Sequence, residues 1–253
     1  MQSDRLAAAT SAARALLAPD GVLRVGLNTS NPLLVKPGGD PAAPRGIAPD
    51  VARLLALRLD AEPSFVGYDT PAQLTDAVGK GAWSVGFLAA DPARSAEIAF
   101  SPAYLEIPAG YLAPPGSPLT STQEVDRAGV RISVAAKSAY EFWLSRNIRH
   151  AKLVMAQGAP ASYDVFVREH LEVLAGLKPM LLSEQRKFAG SRILEGRFTA
   201  VQQAIGVSKD HADSAAFLRT FVEDITRDGA VAEIIARYGV AGVDVPPNAP
   251  TEG

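Results

Sequence analysis

Arg94 carries the chain's most pointed chemistry. It follows an apolar run, Val85-Gly86-Phe87-Leu88, by a short turn and precedes a second, Ile98-Ala99-Phe100. A guanidinium is a planar, permanently charged fork that meets a carboxylate through two parallel N–H···O bonds. Held at the end of a strand, such a fork is aimed; on a loose loop it is a solvated surface charge. The stretch 81–104, GAWSVGFLAADPARSAEIAFSPAY, places it at a strand end.

Other chemistries lack their residues. The 253-residue chain has no cysteine, which excludes disulfides, thiolate nucleophiles and Cys-ligated zinc. Its three histidines, His150, His170 and His211, stand apart in polar sequence without metal-ligand spacing. None of GxSxG, HExxH, a Walker A loop or GxGxxG occurs. The residues argue for binding rather than catalysis, with no metal and no cofactor.

Composition agrees. At 47% hydrophobic and 21% charged, the chain reads as globular, long enough for one large domain or two lobes. A net charge of -2 offers no electrostatic footprint for nucleic acid or anionic lipid. No run of about 18 apolar residues is present, so no membrane insertion is expected.

These side chains must be positioned by an alternating pattern of strands and helices. After the Asp20-Gly21 turn comes a β-type run, 22–27, then a Pro/Gly-rich loop, 28–45. Asp50, an acid or cap at a helix start, precedes Val51, Leu54, Leu55 and Leu59 at helical spacing. A strand at Phe65-Val66, a helix over 72–79 and a strand over 84–88 follow, predicting a mainly parallel sheet. A second series has strand 130–135, helix 140–147, strand 152–155, helix 162–170 and an apolar run 171–175. Two extended crossings, placed near 109–113 and 201–207, separate the series; helical stretches at 211–227 and 229–238 end it. Two lobes with a ligand cleft between them are the expectation. Lobe 1 would hold 21–110 plus 206–240 and lobe 2 111–205, after an N-terminal helix at 1–20 and before a flexible, Pro-rich tail at 241–253.

The first 19 residues put Leu6, Ala9, Ala13 and Leu17 on one helical face. A secretory signal needs an unbroken apolar region of about 7–15 residues, and Arg14 interrupts it. The expectation is an amphipathic helix, either because a signal was removed or because the protein is not exported.

The ordered markers of the chain resemble the extracellular solute-binding proteins for amino acids, the capture components of ABC importers. They are Leu23-Arg24-Val25-Gly26, Gly46-Ile47-Ala48-Pro49-Asp50-Val51-Ala52, Gly81-Ala82-Trp83-Ser84-Val85, Arg94 with Phe100-Ser101-Pro102-Ala103-Tyr104, and Gln203-Ala204-Ile205-Gly206-Val207. The resemblance spans 21–238. It implies a two-lobed type II periplasmic-binding-protein fold, α/β, with two β-sheets flanked by helices and two hinge crossings.

The resemblance also implies a site. Arg94 would grip a ligand carboxylate, helped by the backbone of Leu88-Ala89-Ala90. A turn at a second-lobe helix start, Lys137-Ser138-Ala139-Tyr140, would add contacts, since helix N-terminal N–H groups suit anions. Asn28 stands where an acid is usual, Ala89 where a hydroxyl is usual, and Asn31 in a loop that often carries a stacking aromatic. Tyr68 and Tyr140 are candidates to stack on the ligand or to pack in a core. Gln203 lies on a crossing, in a ligand or hinge role, and Trp83 reads as a packing residue. The acid that would pair with an α-ammonium is missing: the matching stretch is Gly176-Leu177-Lys178-Pro179, which adds a positive charge. Glu106 or Glu141 could substitute for it. The ligand is therefore expected to bear a carboxylate, as an amino acid or a related organic acid.

Partners implied are the small-molecule ligand and ABC transporter membrane subunits, with the protein a monomer. Periplasmic location follows from the resemblance, and the N-terminus keeps a cytoplasmic one open. Two other functions stand beside transport: an enzyme on this fold, of the cyclohexadienyl dehydratase kind with a carboxyl general acid, or an intracellular ligand sensor.

Overall fold

In the computed structural model the described residues are 2–92, 94–136 and 138–247, with side chains from residue 8 onward. They form two units. The first takes the chain up to Leu105, then Gln202–Val240 and the residues from Val245; the second takes Glu106–Val201 and Ala241–Asp244. Two long strands run through both.

The first unit begins with helix α1, Gln2–Leu17. Its Ala13 and Leu17 are buried while Ala9 is exposed, so the apolar stripe is narrower than its spacing predicts; the side chain of Leu6 lies outside the described ones. Strand β1, Val22–Asn28, leads through a long loop to helix α2, Ile47–Arg58, and strand β2, Glu62–Tyr68. Helix α2 buries Val51, Ala52, Leu55 and Ala56, at the spacing of one helical face, with Leu54 half-buried. Asp50 lies in its first turn, while the cap position is Gly46. Gly46 has φ 137, and a Cβ there would stand 2.3 Å from the Leu34 carbonyl oxygen, so only glycine fits.

Helix α3, Pro71–Asp76, starts at Thr70, whose hydroxyl accepts the Gln73 N–H at 3.2 Å. Strand β3, Val85–Ala89, follows, then a single 3-10 turn, Arg94–Ala96, and the first part of strand β4, Ile98–Ala113. Trp83 is 5% exposed and donates its indole N–H to the Leu74 carbonyl at 3.1 Å. Its ring lies over Gly26 and Gly86, confirming a packing role.

The remaining elements follow in chain order. The second unit contains β4 from Glu106 on, then β5 (Arg131–Ala135), α4 (Ala139–Asn147), β6 (Lys152–Ala156) and α5 (Ala159–Arg168). After these come β7 (Val173–Leu177), α6 (Lys178–Lys187), the short β8 (Arg192–Ile193) and the start of β9 (Thr199–Ser208). The chain then returns to the first unit for the rest of β9, a 3-10 segment (Lys209–Ser214), α7 (Ala215–Arg227) and α8 (Ala230–Tyr238). Helix α7 buries Phe217, Leu218, Phe221, Val222 and Ile225 on one face.

The three strands of the first alternation are parallel as expected, and the sheet as a whole is mixed. In the first unit β1 runs parallel to both β2 and β3, and β3 antiparallel to β9. In the second, β5 is parallel to β6 and β7, and β7 antiparallel to β4. The core of the second unit gathers Tyr111, Ile132, Val134, Tyr140, Leu144 and Val173. Phe198 sits on it, 4.6 Å from Tyr111 and 5.4 Å from Trp143 between ring centroids.

Other segments also depart from the residue pattern. Helix α6 lies where the residue pattern carried no expectation, and its Pro179 falls in the first helical turn, where a missing N–H costs nothing. The apolar run 171–175 becomes strand only from Val173, because His170 turns the chain at φ 49. The expected loose tail is tied down over part of its length. Asp244 and Glu106 exchange backbone hydrogen bonds at 2.8 and 2.9 Å, and Gly242 packs on Pro179 and Leu182.

Candidate ligand-binding site

Parallel strands β1, β2 and β3 end at one edge of the first unit's sheet, and the register makes Asn28 and Tyr68 direct partners there. Strand β9 runs the other way and sets Gln203 opposite Ala89. The carboxyl ends of parallel strands are where open α/β sheets bind ligands. Asn28, Tyr68, Ala89 and Gln203 therefore share the edge that topology favours.

Arg94 reaches back to this edge. Its Nη1 donates to the Ala89 carbonyl at 2.8 Å, and its own N–H to the Asp91 carbonyl at 3.0 Å. The guanidinium has five N–H donors. Among the described residues no carboxylate pairs with it, and it is half-buried. A cation fixed at its base, with its remaining donors unmatched among the described residues, suits an incoming anion.

Around it several groups are already engaged. The Asn28 side-chain oxygen accepts from the Ser30 hydroxyl at 2.7 Å and the Ser30 N–H at 3.2 Å. That of Asn31 accepts the Leu33 N–H at 3.1 Å. Both hold the turn after β1, an arrangement typical of short amide side chains. The Ala90 N–H is bonded to the Gln202 carbonyl at 2.8 Å, which removes it from the expected backbone contacts. Leu88, 2% exposed, packs its side chain with Leu74, Trp83 and Ile98. Tyr68 and Phe100 lie half-buried on that cluster, and burial pushes the Tyr68 phenol up from its ordinary value. Gln203 is 4% exposed on β9.

The second unit places Ser138 at the N-cap of α4. Its hydroxyl accepts the Glu141 N–H at 3.1 Å and donates to the Ala135 carbonyl at 2.8 Å. Ala139 is exposed at the first helical position; Lys137 lies outside the described residues. Tyr140 is 7% exposed and belongs to the core cluster, so its ring packs against protein rather than offering an open stacking face. Burial raises its phenol's pKa, with the Ser138 hydroxyl opposing in part.

Neither suggested substitute for the missing acid is available in this unit. Buried Glu106 pairs with Arg197, and the carboxylate of buried Glu141 accepts from the Ser145 hydroxyl at 2.6 Å. Gly176 and Leu177 end β7, and Lys178 is exposed at the start of α6.

Residues 23–241 match the family of bacterial extracellular solute-binding proteins, family 3. The chain belongs to this family. No curated protein matches the solute-binding chain in sequence. Among solved structures, the Bordetella pertussis BvgS periplasmic VFT2 domain is similar with a TM-score of 0.68 at 19% identity, over 89% of this chain and 97% of that one. The GluR0 ligand-binding core complexed with L-glutamate gives 0.65 at 19% identity, over 86% and 97%. The ancestral amino acid-binding protein AncCDT-1, a precursor of cyclohexadienyl dehydratase, gives 0.62 at 16%, over 88% and 96%. At such identities the likeness is one of fold. The α/β fold of this solute-binding protein, a mixed sheet flanked by helices, matches the two-lobed type II periplasmic binding proteins. Among the described residues no helix is long and apolar enough to cross a membrane.

Proposed function

We propose that this solute-binding protein captures a small carboxylate-bearing solute, an amino acid or a related organic acid, and delivers it to the membrane subunits of an ABC importer in the periplasm. The observation that carries this reading is Arg94: a half-buried guanidinium anchored to the end of β3 by the Ala89 carbonyl, with no carboxylate partner among the described residues. The family supports capture by binding. A neighbour complexed with L-glutamate supports the ligand class. Asn28, Tyr68 and Gln203 share the sheet edge and would line the ligand's remaining surface.

Calorimetric titration of ligand-stripped protein with amino acids and organic acids tests it. Binding of at least one carboxylate, lost on Arg94→Ala, is expected. A panel without heat or thermal shift, or an Arg94→Ala variant with unchanged affinity, would sink the reading.

Catalysis is the second reading, favoured by the likeness to a precursor of cyclohexadienyl dehydratase. Its chemistry needs a carboxyl group as general acid. At the second-lobe position where such an acid would stand the chain has Leu177-Lys178, with no carboxyl group. The chain is therefore proposed to bind without turning over. Incubation with prephenate and arogenate, followed by product assay, separates the two.

A further inference from the structure

An open pocket in the first unit is lined by Lys36, Gly38, Gly39, Arg45, Arg237 and Tyr238. None of these belongs to the ligand site described above. The first four come from the loop after β1, whose two sides are tied by the Lys36 N–H to the Arg45 carbonyl at 2.8 Å. The other two end helix α8.

Three cations facing one pocket repel one another, and an excess of one sign in a concave site concentrates the opposite sign. The acid beside them does not cancel the charge. Asp50 already accepts from Arg53 at 2.8 Å, Arg237 at 3.1 Å and the Tyr238 hydroxyl at 2.9 Å. Asp40, on the same loop, accepts the Ala42 N–H at 2.9 Å. Lys36 and Arg45 make no ion pair and no side-chain hydrogen bond among the described residues. The Lys36 ammonium stands 6.0 Å from the centre of the Tyr238 ring.

The loop itself adds donors. Gly38 turns the chain at φ 76, and the N–H groups of Gly38 and Gly39 have no partner among the described residues. A Cβ at either glycine would meet nothing within 4 Å, so the backbone there is open to a ligand. Successive unpaired N–H groups at a left-handed turn form a concavity for anions.

We propose that this pocket binds a small phosphate-bearing anion. A monocarboxylate brings one charge and two oxygens, too little for three cations and two N–H groups. A phosphate group brings a charge of about -1.5 to -2 and three acceptor oxygens. Its tetrahedral oxygens can take the Arg45 and Arg237 forks on one side and the glycine N–H groups on another. The site works independently of Arg94.

The test is calorimetric titration of the full chain with inorganic phosphate, pyrophosphate and citrate. It is accompanied by co-sedimentation with vesicles of phosphatidylglycerol and phosphatidylcholine. The variant is the double substitution Lys36→Gln/Arg45→Gln, whose fold is checked by thermal unfolding. Saturable phosphate or pyrophosphate binding is expected, weakened about tenfold or more in the double variant and unchanged in Arg94→Ala. Vesicle binding lost in the same variant would assign the phosphate to a lipid headgroup; free phosphate binding alone assigns a soluble one. Three results overturn the proposal: no binding in either assay, equal affinity in the double variant, or citrate binding the Arg94→Ala protein as tightly as pyrophosphate does.

Discussion

The Arg94 guanidinium is held 2.8 Å from the carbonyl of Ala89, the last residue of the strand that precedes it. The bond links a side chain to backbone that is itself fixed by pairing with Gln203 on β9. Orientation is thus provided by the sheet before any ligand arrives, which lowers the ordering cost of binding.

Removing that fork should be costly. A charge-assisted hydrogen bond contributes roughly 1.5–3 kcal/mol, so Arg94→Ala is expected to weaken carboxylate binding about tenfold to a hundredfold. Arg94→Lys should recover only part of this, because an ammonium cannot hold Ala89 and meet a carboxylate in two parallel bonds. Titration of the three proteins with one ligand measures it; equal affinities for Lys and Arg would refute the bidentate geometry.

Ser138 caps α4, and loss of a serine cap costs about 0.5–2 kcal/mol. Ser138→Ala should therefore lower the urea midpoint of the second unit without changing the slope of the transition. Ser138→Asp should restore it. An unchanged midpoint in the alanine variant would show that the cap bond to Glu141 contributes nothing.

Acid should destabilise the second unit through Glu172. Arg131 holds this carboxylate with its guanidinium, at 2.9 Å, and with its backbone N–H, at 2.7 Å. Bonding to Arg131 holds the Glu172 carboxyl below its ordinary value of 4.5 despite partial burial. Because the folded value is the lower one, the unfolded chain takes up the proton first as pH falls. The stabilisation is complete above 4.5 and fades below it, through the folded-state value. Unfolding midpoints between neutral pH and acid should fall less steeply for Glu172→Gln. Parallel profiles for the two proteins would refute the assignment.

The C-terminal segment should matter for stability. Cutting the chain after Val240 removes the paired backbone bonds of Asp244 with Glu106 and the packing of Gly242. At about 0.5–1.5 kcal/mol for each bond, the truncated protein should lose roughly 1–3 kcal/mol by denaturant titration. A shortened protein as stable as the whole would show that these contacts contribute nothing in solution.

Leu88 separates site from scaffold. Its side chain is core, so Leu88→Ala should cost about 2–5 kcal/mol in stability. Ligand affinity, measured where the variant remains folded, should change far less than in Arg94→Ala.

Much of this architecture was legible in the residue pattern, because strands and helices with one apolar period announce themselves. The face Val51, Leu55, Leu59 and the run 85–88 fall where periodicity places them. What stayed hidden has physical causes. Helix α6 begins with Lys178-Pro179, and proline punctuates a loop and opens a helix equally well. The hold on the 241–247 segment rests on backbone bonds, which leave no mark in side-chain pattern. Arg94 could be singled out from its place after β3, but its anchoring by Ala89 is a distance that no sequence shows. Tyr140 has the composition of a ligand-stacking residue and the burial of a core one. The cations of the second pocket come from positions 36, 45 and 237, too far apart in the chain to look like a cluster.

The chain has two tryptophans, and they fall one to each unit: Trp83 beneath β1 and β3, Trp143 beside Phe198. Nature has thereby installed two separate fluorophores. Replacing either by phenylalanine leaves a protein that reports on one unit only. Two emission curves that coincide would mean the units melt as a single cooperative body, and two that part would give each unit a free energy of its own.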